Sequence, residues 1–136
     1  MKVSASTQQL FEMAKKSREH SHSPYSHHKV GAALRTSDGK TYAGCNVENS
    51  SFGGTICAER TAIFSAVAAQ GKFKIDEIVV VTDANPPWPP CGFCRQVIAE
   101  FATDCVVKSM NLQGEVIEMN FKDLFPAAFT PSHLDT

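Results

Sequence analysis

The stretch IDEIVVVTD, Ile75 to Asp83, decides how this chain folds. Ile78 to Val81 are all β-branched and leave no polar face, so a strand made from them must be covered on both sides. Its neighbours in sequence can supply cover. Before it, residues 57–69 carry Ala58, Ala62, Phe64 to Ala66 and Ala69 in the pattern of a mostly buried helix, which Gly71 ends at its C-cap. After it, DANPPWPP (83–90) cannot be regular structure, because four prolines remove donors and fix φ. It reads as a stiff loop delivering Cys91 to a second helix, CGFCRQVIAEFA (91–102).

Further out the pattern repeats. Residues 6–20 place Leu10, Met13, Ala14 and Ser17 at helical spacing. There the pattern breaks: HSHSPYSHH (20–28) is a polar loop with Pro24 at its centre, and it leads into KVGAALRT and TYAGCNVEN, a hairpin joined at SDGK. Two short strands, DCVVKSM and EVIEMNF, and a terminal turn around DLFPAAF complete the chain. Strands alternating with helices predict an α/β class, a three-layer α/β/α sandwich around a mixed β-sheet, with residues 1–136 as one domain. The order of the strands is not readable from the pattern.

Composition excludes several functions. Thirteen Lys plus Arg against 14 Asp plus Glu give a net charge of −1, and no run reaches five like charges, so no nucleic-acid partner is expected. No window approaches a membrane span, and the N-terminal residues lack the apolar run of a signal segment, which predicts a cytoplasmic protein acting on a small molecule. Five cysteines, an odd number, favour metal binding, catalysis or burial over a disulfide framework.

Three of those cysteines belong together. Cys91 and Cys94 lie three apart on one helix face, a pair of zinc ligands by spacing, and Cys57 is the natural third because it also opens a helix. Two helix N-termini converging on three thiolates favour their deprotonated form. Glu59, two residues beyond Cys57, points about 200° away on a regular helix, toward the open side of a three-coordinate metal. There it can exchange protons with a metal-activated water. Three thiolates on Zn²⁺ carry a formal charge of −1, so Arg60 and Arg95 are candidates to donate to the sulfurs. By themselves the cysteines also suit a closed structural site completed by Cys45 or by His20, His22, His27 or His28. Cys45 and Cys105 read better as small buried residues in strands. Trp88 could cover a pocket, fill a subunit contact or pack on its own proline loop, and packing is the favoured reading.

VGAAL, GCNVENSSF, CAERTAI, PCGFCRQVI, NLQGEV and LFPAAF together, in that order, resemble the zinc-dependent cytidine deaminases of the short, homotetrameric, three-cysteine type. The resemblance implies one zinc per chain on Cys57, Cys91 and Cys94, a zinc-bound hydroxide attacking C4 of cytosine, and Glu59 as proton shuttle, giving uridine or deoxyuridine plus ammonia in pyrimidine salvage. It implies substrate contacts at Asn46 and Glu48, which would hold the ribose hydroxyls, at Ala58, and at Phe129, an aromatic reaching a neighbouring subunit's pocket. His28 stands where the family often has Phe and would line that pocket. Phe93 stands where Ala is common. Those two departures leave a modified cytosine nucleoside or nucleoside antibiotic as an alternative substrate, and a structural zinc module as the alternative from another class.

Overall fold

A computed structural model describes residues 3–134. Helix α1 (Ala5–Arg18) is followed by β1 (Gly31–Thr36), β2 (Thr41–Cys45), α2 (Ala58–Gln70), β3 (Ile75–Thr82), α3 (Gly92–Phe101), β4 (Val106–Asn111), β5 (Val116–Asn120) and the single turn α4 (Phe121–Leu124). The strands form one sheet in the order β2-β1-β3-β4-β5. Only β3 and β4 run parallel; the other neighbours are antiparallel, so the sheet is mixed, as expected.

Alternation along the strands sorts side chains to the two faces. Ala33, Val79, Val81 and Met110 face α1, where Leu10, Phe11 and Ala14 meet them. Ala32, Leu34, Ile78 and Val107 face the other way, against Ala62, Ile63 and Ala66 of α2 and Ile98 and Ala99 of α3. This is the three-layer arrangement that the β-branched run demanded, with β3 in the centre of the sheet. Cys105 is buried as expected but lies just before β4, and Cys45 closes β2 half-buried.

Two glycines let the layers close. A Cβ on Gly31 would stand 1.9 Å from the carbonyl oxygen of Ala14, and one on Gly44 would stand 2.5 Å from the amide of Ala62. Thus α1 and α2 rest directly on the hairpin backbone. Under α1, the buried Glu77 accepts from Thr7 Oγ1 at 2.7 Å and pairs with Arg35 at 2.6 Å and Lys108 at 2.9 Å. That network ties the first turn of α1 to three strands.

Candidate active site

Cys57 and Cys91 are the N-caps of α2 and α3, both in extended backbone, and neither side chain caps its own helix. An N-cap side chain meets the residue three positions on, the geometry a capping box uses. In α3 that residue is Cys94; in α2 it is Arg60. The same local geometry therefore supplies two sulfurs at one helix and a sulfur with a guanidinium at the other. The Cys57 and Cys91 sulfurs stand 3.6 Å apart, and the three sulfurs of Cys57, Cys91 and Cys94 lie within 4.8 Å of one another.

This cluster fits zinc. Two sulfurs at the usual ~2.3 Å from a tetrahedral zinc are about 3.8 Å apart, close to the separation found. Among the described residues, neither Cys45 nor any histidine joins the group, so no fourth protein ligand closes it. Cys91 is exposed and Cys94 buried. The cluster can hold one metal ion reachable from outside.

Arg60 donates to Cys57 Sγ at 3.4 Å, as expected from the charge on the cluster, and its guanidinium lies 5.3 Å from the centre of the Phe93 ring. A hydrogen bond from the Cys94 thiol, with Arg60 and Cys91 adding to it, pulls Cys57 down to about 5. The same contact, reinforced by burial, pushes Cys94 up. Arg95 is different. Its Nε donates to the Pro90 carbonyl at 2.9 Å and its terminal nitrogen to the Leu124 carbonyl at 3.0 Å, so it anchors the proline loop and α4 where an approach to the sulfurs had been expected. Lying one position past the N3 site, it misses the direction that brings Arg60 to its cysteine.

Glu59, at the second position of α2, is 4% exposed and lines a cavity of about 280 Å³ together with Ala58, Cys57 and Cys91. Burial, with the neighbouring Cys57 charge adding to it, lifts its carboxyl to about 7. A carboxyl poised there can both accept and return a proton near neutrality.

The cavity also has polar walls. Asn46 and Glu48 both line it. Neither belongs to a strand, since β2 ends at Cys45. Glu48 Oε1 accepts from the Tyr25 and Ser26 amides at 2.9 and 3.1 Å, while Oε2 accepts from the Ser26 hydroxyl. That hydroxyl, with the two amides, holds the Glu48 carboxyl below its ordinary value despite burial. Asn46 Oδ1 accepts from Ser21 Oγ at 2.5 Å and the Val30 amide at 2.9 Å, and Nδ2 donates to the His28 carbonyl at 2.8 Å. The carbonyl oxygen of Asn46 is therefore filled, and what it offers a ligand is its second N–H. For holding hydroxyls, this leaves Asn46 a donor and Glu48 an acceptor.

His28 lines the cavity beside Trp88. Of the alternatives for Trp88, packing on its own loop had been favoured, but the residue lines the cavity and its ring meets His28 edge-on, with centroids 5.0 Å apart. A lone tryptophan between prolines, three residues before Cys91, was the available signal, because such a loop has little with which to bury it. Ser26 was also missed. Phe129 does not line its own chain's cavity; it is 55% exposed, stacks on His133 and accepts from Gln96 through its carbonyl.

A model of the cytidine and deoxycytidylate deaminase zinc-binding region matches residues 4–110. The chain belongs to the zinc-dependent cytidine deaminase family. A cytidine deaminase of Halalkalibacterium halodurans is 45% identical over 129 residues, covering 94% of this chain and 97% of that one. The crystal structure of a cytidine deaminase from Burkholderia pseudomallei matches with a TM-score of 0.84 at 48% identity, covering 90% of this chain and 98% of that one. A blasticidin-S deaminase of Bacillus cereus is 33% identical over 114 residues, covering 76% and 78%. The sulfur cluster, Glu59, Asn46 and Glu48 all lie within the matched residues.

Proposed function

We propose that this chain hydrolyses cytidine and deoxycytidine to uridine and deoxyuridine, consuming one water and releasing ammonia. The observation that carries the reading is a buried carboxyl, Glu59, lining one small cavity together with Cys57 and Cys91 of the open three-sulfur cluster and with Asn46 and Glu48. A zinc ion on Cys57, Cys91 and Cys94 would act as Lewis acid and acidify a water. Glu59 takes a proton from the water that adds to C4 and delivers it to the exocyclic nitrogen, which leaves as ammonia. Arg60 offsets the negative charge of the sulfurs. Asn46 Nδ2 donates to, and Glu48 Oε2 accepts from, a sugar hydroxyl, which holds the base end at the cluster. Ala58, at the first turn of α2, lies against the base.

We read residues 1–136 as one catalytic domain acting in the cytoplasm in pyrimidine salvage. No described helix is long and apolar enough to cross a membrane. Phe64, Phe93 and Phe129 leave large apolar rings in water, which supports a homotetramer in which Phe129 completes a neighbour's pocket. A monomeric mass at full activity overturns that assembly.

A second reading, deamination of a modified cytosine nucleoside or nucleoside antibiotic, is favoured by His28 in the aromatic's position and by the blasticidin-S deaminase likeness; the higher identity to cytidine deaminases favours the first. One assay separates them. Loss of the cytosine absorbance on mixing with cytidine or deoxycytidine is expected, and zinc-loaded protein that converts neither but converts blasticidin S establishes the second. Conversion of none leaves the structural zinc module.

A further inference from the structure

Trp88 is the only tryptophan in the chain. Its loop buries Pro87 and Pro90 on either side of it yet leaves Trp88 itself 42% exposed at the cavity. The loop is held at both ends. Thr82 Oγ1 accepts from the Ala84 amide at 3.2 Å and Asn111 Nδ2 donates to the Ala84 carbonyl at 3.1 Å, while Arg95 holds the Pro90 carbonyl at 2.9 Å. Prolines fix φ on both sides of Trp88 between these points, so the backbone that carries the indole is held in place.

The backbone of the facing residue is anchored as well. The His28 amide donates to Ser26 Oγ at 3.1 Å, its carbonyl accepts from Asn46 Nδ2, and His27 before it takes the left-handed φ of 63° that swings the chain round. The planes of His28 and Trp88 meet at 73°, so two adjoining walls of the cavity are aromatic and nearly perpendicular. A flat heterocycle lying on one wall presents its edge to the other, a favoured geometry on both sides. Because the backbone beneath both rings is fixed in advance, the ordering that accompanies binding is confined to the two side chains.

We infer that Trp88 is a specificity-determining residue that touches the pyrimidine ring and, with His28, forms an aromatic corner that grips it. The inference rests on the deaminase reading. It assigns the single indole to the substrate, so indole emission becomes a direct report of pocket occupancy.

The test uses the zinc-loaded full chain and uridine, which is not consumed. Emission excited where tyrosine does not absorb should change saturably, over the uridine concentrations that inhibit cytidine turnover. Trp88→Ala should raise the KM for cytidine roughly tenfold and leave kcat within about twofold, since the contact exists in ground and transition states alike. Trp88→Phe should recover most of that loss, with zinc content and melting temperature showing that each variant is folded. A wild-type enzyme that deaminates cytidine while its emission ignores saturating uridine overturns the inference and leaves the deaminase reading intact. So does a folded Trp88→Ala with wild-type KM, or one whose loss falls on kcat alone. Wild-type protein that fails to deaminate cytidine sinks the underlying reading, and the assignment of Trp88 with it.

Discussion

The sulfurs of Cys57 and Cys91 stand 3.6 Å apart although 34 residues separate them in the chain. The parallel β3–β4 core sets two helices side by side, and each begins immediately after one of these cysteines. Elemental analysis should therefore find one zinc per chain, and Cys57→Ala or Cys91→Ala should abolish it. Because thiols lose protons on ligation, zinc uptake in weakly buffered solution should acidify the medium, and affinity should fall as pH falls. Arg60→Gln should weaken zinc retention against a chelator by roughly tenfold, as removal of partners of ligands typically does.

Glu59→Gln keeps the shape of the side chain and removes its proton chemistry. The variant should fold, retain zinc and lose at least about 10²-fold in kcat. Rapid turnover by the variant, or a protein without metal, would show that Glu59 has another task.

Asn46 joins residues 21, 28 and 30 through three side-chain hydrogen bonds. Asn46→Ala should then cost stability, roughly 2 to 4 kcal/mol at about 1 kcal/mol per bond with some unmet backbone groups, as well as activity. Glu48→Gln should chiefly raise KM, because the loop donors from Tyr25 and Ser26 still find an oxygen. Thermal melting compared with KM distinguishes the two roles.

His28→Phe should lower the KM for cytidine by less than about tenfold with kcat little changed, since a phenyl ring offers more area at the same position. Steady-state kinetics on the two proteins at a common pH decides it, and equal KM values make His28 a loop residue only.

For Glu77, burial alone would raise the carboxyl, but the Thr7 hydrogen bond and the Lys108 and Arg35 pairs outweigh it and hold it below the usual range. A depressed carboxyl contributes stability above its unfolded value of about 4.3, and that contribution is lost as pH falls through the folded value. Glu77→Gln should destabilise by about 3 kcal/mol near neutral pH, because it leaves two cations without their buried partner. The gap between variant and wild type in urea titrations should shrink below about pH 4.

Much of this protein was legible from residue order alone. The central strand, the two helices after Cys57 and Cys91, the hairpin and the zinc cluster follow from local rules: β-branched runs need two covers, Gly71 ends a helix, and an N-cap cysteine meets the residue three positions on. Strand order was not legible, because β1 and β4 are both apolar enough to flank β3 and pairing depends on how the connections cross. Tertiary structure alone decided where the long polar side chains point. Arg60 and Arg95 each follow a site residue directly, yet one reaches a sulfur and the other two carbonyls, a difference of helix position and of what the neighbouring chain offers. It also decided that Asn46 spends its oxygen on the loop, and that Trp88, which its prolines cannot cover, turns its ring to the cavity beside His28. Spacing along the chain carries the first kind of information; the second exists only once distant segments compete for the same donors and the same water-free surface.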